Sequence, residues 1–259
     1  MSRIYEALKR AERRPASEPI VPPVANGRDP LEAGWGLGND ARLEYERLQV
    51  WISNCSADSS PPIRGVMVVS CHRGEGTTTT SVGLAATLAR RPAARVLIVD
   101  ANLRTPSLHK VLGVEARGGL TEFLNNGSAS ADYVQPTTQP NLFVMTSGST
   151  ARSPLEIFSP AALGRLVSHL KSAFDFVVFD ASPLLEFPDA YALAPHVDAV
   201  LVVVEADRTL VDDARRVMRE LQRSGLRAAG VVLNRQRDYT PRLLRRAFSR
   251  ANGSRTSST

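Results

Sequence analysis

Residues 65–80, GVMVVSCHRGEGTTTT, decide the fold. Gly65 to Ser70 is a continuous apolar run, the pattern of a strand buried on both faces of a parallel sheet. Gly74 to Thr80 is predicted as a tight loop and Ser81 to Ala89 as the helix that follows. Glycines in such a loop let backbone amides curl around an anion, and the start of a helix adds partial positive charge. Phosphate contacts are therefore expected from Arg73, Gly74, Glu75, Gly76, Thr77, Thr78 and Thr79, with the Thr78 hydroxyl offered to Mg2+. The pattern G-x-x-x-x-G-K-[ST] is broken twice, by Cys71 at the first glycine and by Thr77 at the lysine. Taken alone, the segment also reads as an ordinary strand-to-helix turn.

Outward from this stretch, strand and helix patterns alternate. Strands are predicted at 95–100 (RVLIVD), 141–146 (NLFVMT), 176–180 (FVVFD), 199–205 (AVLVVVE) and 229–234 (AGVVLN). Helices are predicted at 40–54, 107–112, 120–125, 159–173 and 211–224. Strands joined by crossover helices imply an α/β fold, a mostly parallel sheet with helices on both faces. Ligands of such sheets bind beyond the carboxyl ends of the strands. Two more strand ends carry suitable groups. Asp100 and Asp180 each close an apolar run, where a carboxylate can hold Mg2+ or polarise an attacking oxygen. Arg104 follows Asp100 closely enough to steady phosphate charge. Asn234 ends the last strand and reads either as an adenine contact or as a cap for the next turn. An isolated strand-end aspartate is often only a turn former. The functional reading rests on three corners, after residues 70, 99 and 179, meeting at one rim.

The 259 residues, 43% hydrophobic, suffice for one large α/β domain with tails. No stretch approaches the roughly 20 apolar residues of a membrane helix, and residues 1–14 lack a secretory h-region. Cys55 and Cys71 are too few for a disulfide framework, so a cytoplasmic setting is expected. Four regions follow. Residues 1–14 form a docking helix with Ile4, Ala7, Leu8 and Ala11 on one face; 15–39 are a Pro/Gly-rich linker; 40–237 are the nucleotide-binding domain; 238–259 are a basic tail. Much of the net charge of +6 lies after Asn234, where seven arginines oppose Asp238 alone. Such a tail suits an anionic surface or a solvated terminus. Within it, Leu243, Leu244, Ala247 and Phe248 share a helical face, as on a membrane surface or a docked helix.

These residues resemble the bacterial tyrosine kinases that serve capsule and exopolysaccharide export, a branch of the deviant-Walker ATPases that also includes chromosome-partitioning proteins. The resemblance runs from Ser2 to Arg235. It rests on SRIYEALKRAE, SCHRGEGTTTTSVGLAATLA, VLIVDANLRTPSLHKVLGV, GGLTEFL, SPLEIF, FDFVVFDASPL, VDAVLVVVEADRT and GVVLN. It implies ATP and Mg2+ as cofactors, with Asp100, Asn102 and Arg104 at catalytic positions and Thr78, Asp100 and Asp180 around the metal. It implies further a transmembrane polysaccharide co-polymerase (chain-length protein) as partner, a homo-oligomer, a place at the inner face of the cell membrane through the basic tail, and no nucleic acid. Four departures stand against full activity. Thr77 replaces the lysine and Asn102 a second aspartate. The tyrosine-rich tail is missing, and the helix pattern E-x-x-R-x-x-R appears as Glu44, Arg47 and Val50. Losing one electrostatic donor of this kind costs about 3–4 kcal/mol, roughly 10²–10³ in rate, while backbone amides and Mg2+ still hold phosphates. Binding is thus expected to outlast fast catalysis, with Arg104 standing in for the lysine. An inactive regulator and a positioning ATPase are the alternatives; the latter carries an early lysine where His72 stands here.

Overall fold

The computed structural model describes residues 39–57, 62–126, 133–149, 154–226 and 228–236. The expected docking helix, the linker apart from Asn39, and the basic tail lie outside the described residues.

The apolar runs form strands β1 (Gly65–Ser70), β2 (Val96–Asp100), β4 (Leu142–Met145), β5 (Phe176–Asp180), β6 (Ala199–Glu205) and β7 (Ala228–Asn234), with a two-residue β3 (Gln135–Pro136). They build one sheet in the order β3-β4-β2-β5-β1-β6-β7. Every pairing is parallel except β3 with β4. Side chains alternate across a strand, so each central strand feeds two cores. Met67 and Val69 join one apolar cluster while Val66 and Val68 join the other, and Leu97 and Val99 oppose Val96 and Ile98 in the same way. Both faces are therefore buried, which explains why these runs are apolar throughout rather than alternating.

Helices cover the two faces. On one lie α1 (Asn39–Ala57), α2 (Thr77–Ala89) and α3 (Leu108–Leu112), through Ile52, Leu84, Leu88 and Leu108. The opposite cluster takes α4 (Leu120–Asn126), α6 (Pro160–Ala173), α7 (Asp189–Leu193) and α8 (Val211–Arg223), through Phe123, Leu166, Leu193 and Val217. The GGLTEFL stretch is bound by its acid: Glu122 accepts from the amides of Gly119 and Ser149, fastening the start of α4 to the turn after β4. At the amino end of β1, Asp198 accepts from the amides of Arg64 and Gly65 and from the Lys171 ammonium. Among the described residues no helix is long and apolar enough to cross a membrane.

The structure differs from the sequence reading in detail. The helix after the glycine loop starts at Thr77, not Ser81. Threonines are weak helix formers, but Gly76 caps the helix at φ 96, the Ser81 hydroxyl donates to the Thr77 carbonyl, and every residue from Thr80 to Ala89 is buried. Burial overrides propensity here. Strand β3, helix α5 (Pro154–Ile157), α7 and the 3-10 turn Ala194–His196 were not expected; all are too short to display a period.

Helix α1 is fixed by a close approach. The Tyr45 ring lies so near Gly83 of α2 that a Cβ there would stand 2.4 Å from it. Replacing a mid-helix glycine by alanine gains about 1 kcal/mol of helix propensity, whereas overpacking costs about 1–3 kcal/mol. We expect Gly83→Ala to lower stability by about 1 kcal/mol in urea unfolding, and to raise it in a Tyr45→Ala background. Equal effects in both backgrounds would show that the ring does not set the contact.

Candidate functional site

The carboxyl end of β1 leads into the loop 71–76, which is braced from inside. Glu75 is buried, and its carboxylate accepts from the amides of Cys71 (2.8 Å) and His72 (3.0 Å) and from the Thr209 hydroxyl. The Arg73 amide donates to Glu186 at 2.7 Å. From the other side, the Asn234 carboxamide donates to the Glu75 carbonyl at 2.8 Å. Its nitrogen would lie 1.9 Å from any Cβ on Gly76, so both the positive φ and the contact demand glycine. These partners take the first three amides of the loop. Among the described residues no hydrogen bond reaches the amides of Gly74, Glu75, Gly76, Thr77, Thr78 or Thr79. Unspent donors at the amino terminus of a 13-residue helix make a cradle of the kind that suits a phosphate.

Next to the cradle, the β2–β5 register sets Asp100 directly beside Asp180. Thr78 donates its hydroxyl to Asp180 at 2.7 Å, and the Ser81 hydroxyl, shared with the Thr77 carbonyl, reaches the other oxygen at 3.0 Å. One oxygen of Asp100 accepts from the amides of Ser107 and Leu108, at 3.0 Å each. Its second oxygen is buried without a partner. Burial pushes Asp100 up to about 6, with the nearby amides pulling back. Burial first, and then the charge on Asp100, push Asp180 up to about 7. A buried, unpartnered carboxylate oxygen beside a second carboxylate and a hydroxyl fits a divalent cation. Among the described residues no group of three or more His, Cys, Asp or Glu could hold a metal alone. The chemistry matches Mg2+, which is held through one or two carboxylates together with phosphate and water.

The other expected residues find different places. Asn102 braces its own loop, with its carbonyl oxygen accepting from the Thr105 amide at 3.2 Å and from the Ser182 hydroxyl at 3.3 Å. Arg104, expected to replace the lysine, is held bidentately by Asp189, at 2.6 and 3.1 Å, over the Phe187 ring. No hydrogen bond or ion pair joins it to the loop among the described residues. Arg73 stacks on the same ring and pairs with Glu186 at 2.9 Å. Asn234 braces the loop through its carboxamide nitrogen and accepts from the Arg235 amide through its oxygen. The Glu75 side chain faces inward. No hydrogen bond involves the Thr77 hydroxyl among the described residues. Cys71 is buried, and burial first, then Glu75 and Asp213, push its thiol up to about 12, which disfavours the thiolate.

Some of the site was missed in the sequence. Ser107 reaches the Thr78 hydroxyl at 3.2 Å, and Glu205, Arg208 and Thr209 bring the β6–α8 turn against the loop. The polar cluster EADRT directly after an apolar strand was the available signal.

The two aspartates set a pH dependence. In the unfolded chain they titrate near 4, so the folded protein binds these protons more tightly. Their contribution to folding is full below about pH 4 and is lost as the pH rises through about 6 and 7. We expect the metal-free protein to lose more stability between pH 5.5 and pH 8 than its Asp180→Asn variant, in chemical denaturation. Parallel profiles for the two would contradict the pairing.

Known proteins agree with this geometry. The family model described as an AAA domain matches residues 64–224. The tyrosine-protein kinase YwqD of Bacillus subtilis (strain 168) is 30% identical over 191 residues, which cover 74% of this chain and 79% of that one. Among solved structures, the VpsO kinase domain is 32% identical with a TM-score of 0.66, over 76% of this chain and 98% of its own. The chimerical protein CapA2B2 is 25% identical with a TM-score of 0.71, over 78% and 87%. The phosphate loop, the paired strand-end aspartates and these relatives agree: the chain belongs to the bacterial tyrosine-protein kinase family of P-loop ATPases.

Proposed function

We propose that this chain binds Mg-ATP and Mg-ADP and acts as a regulator of polysaccharide export, with slow phosphotransfer. One observation carries the reading. The amides of 74–79 and the Thr78–Asp100–Asp180 cluster are formed, while position 77 lacks the cation that would bridge the β- and γ-phosphates. The amides hold the phosphates. Thr78, Asp100 and Asp180 hold the Mg2+, which neutralises phosphate charge when bound. Binding is thereby preserved more than rate, because phosphoryl transfer depends on charge placed where it develops.

The partner follows from the family resemblance: a transmembrane polysaccharide co-polymerase, met at the inner face of the cell membrane. Residues 1–14 and the basic residues 238–259 are the docking elements of this reading. Glu44 and Arg47 of the oligomerising pattern form an exposed pair at 2.7 Å, and Val50, in place of its last arginine, is exposed. A weakened homo-oligomer follows.

The purified chain and its Thr77→Lys variant, each given radiolabelled ATP and a tyrosine-rich acceptor peptide, test this. Both are expected to bind Mg-ATP, with the variant transferring phosphate about 10²-fold faster. Equal rates would show that position 77 does not limit the chemistry. A wild type that binds no nucleotide, with binding gained in Thr77→Lys, would instead make the chain a regulator that works without ATP.

A further inference from the structure

The lysine that Thr77 lacks leaves a charge vacancy at the cradle, and the surrounding arginines differ in their freedom to fill it. Arg104 is bound bidentately to Asp189, whose side chain is 2% exposed. Turning Arg104 toward a phosphate would strand a buried carboxylate, which is costly. Arg73 is held twice, by Glu186 and by the Phe187 ring.

Arg208 is placed differently. It lies in the turn between β6 and α8, next to the loop because β6 pairs with β1 and because Thr209 donates to Glu75. The turn is firm: the amides of Arg208 and Thr209 both donate to the Glu205 carbonyl, and the Glu205 amide donates to the Thr209 hydroxyl. From there Nη1 of Arg208 reaches within 3.6 Å of where a Cβ on Gly74 would stand, beside one of the unspent amides. The same nitrogen pairs with Glu205 at 2.9 Å, and the Arg208 side chain is 59% exposed. The guanidinium side of this pair faces solvent, whereas the Glu205 side chain is 13% exposed and needs a cation that stays. Glu205 also has a second cation, since its other oxygen takes Nη1 of Arg235 at 2.9 Å. If Arg208 swings inward, Glu205 therefore keeps a partner. Two arginines on one glutamate leave one positive charge to spare at the rim of the cradle.

We infer that Arg208 supplies, from the β6–α8 turn, the phosphate-binding cation that position 77 no longer provides. Resting on the reading of the loop as a nucleotide site, the inference adds which residue carries the charge. The guanidinium suits the task, since it stays protonated and grips phosphate oxygens with two parallel N–H donors. The exchange is a swap of anions, Glu205 for a phosphate, and Arg235 remains behind to neutralise the glutamate.

Calorimetric titration of the full chain with Mg-ADP and Mg-ATP tests the assignment. Wild type, Arg208→Ala, Arg208→Lys and Arg104→Ala are compared, with folding checked by circular dichroism and thermal unfolding. Arg208→Ala is expected to weaken binding about tenfold or more, the scale of one lost charge-assisted phosphate contact. Arg208→Lys should keep part of the affinity, and Arg104→Ala should change it less than Arg208→Ala. In a Thr77→Lys background the Arg208→Ala loss should shrink several-fold, because the lysine then occupies the same anion. Folded Arg208→Ala protein binding as tightly as a nucleotide-competent wild type overturns the inference alone. A folded wild type that binds neither nucleotide overturns the nucleotide reading and the inference with it.

Discussion

The register of β2 against β5 is the constraint from which the site follows. It places Asp100 opposite Asp180, so two carboxylates close adjacent buried strands at the same height. Like charges that close, out of water, cannot both stay ionised without compensation. The structure answers with the Thr78 and Ser81 hydroxyls on one carboxylate and two amides on the other, and still leaves one Asp100 oxygen unpartnered. A strand slip of one residue would turn one carboxylate to the opposite face. The apolar packing on both faces of the sheet prevents such a slip, so core and site depend on the same pairing.

The glycine loop is held by side chains. A buried glutamate ties its opening amides, an asparagine from the last strand presses on Gly76, and a threonine from the β6–α8 turn bonds the glutamate. The last strand and the β6–α8 turn, together with the loop's own glutamate, thus fix the backbone that carries the free amides. Preorganised amides need no reorganisation when an anion arrives. The loop therefore keeps its shape with Thr77 in place. The loop's shape depends on Glu75, Gly76 and Asn234, and a lysine would have supplied charge rather than shape.

Much of this was legible in the sequence, for physical reasons. Strands buried on both faces are apolar throughout, so β1, β2, β5 and β6 showed themselves within a residue of their observed limits. Their polar ends, Ser70, Asp100 and Asp180, stood out against that background. What remained hidden depends on tertiary contact. Asn234 suggested a base contact or a cap, and only the fold shows its carboxamide beneath the loop. Arg104 suggested a phosphate ligand by its spacing, but its partner, Asp189, lies 85 residues away. Arg208 lies 134 residues beyond Gly74 and meets it only because β6 lies beside β1. Short elements such as β3 and α7 carry too few residues to display a period.

The central claim is that Thr78, Asp100 and Asp180 form a cation site completed by a nucleotide's phosphates. Titration with Mn2+, followed by electron paramagnetic resonance with and without ADP, tests it most directly. The account predicts one tightly held Mn2+ per chain when ADP is present, far weaker binding without it, and loss of the ADP-dependent ion in Asp180→Asn. An ADP-dependent ion unaffected by Asp180→Asn, or no ADP-dependent ion in the wild type, would contradict it.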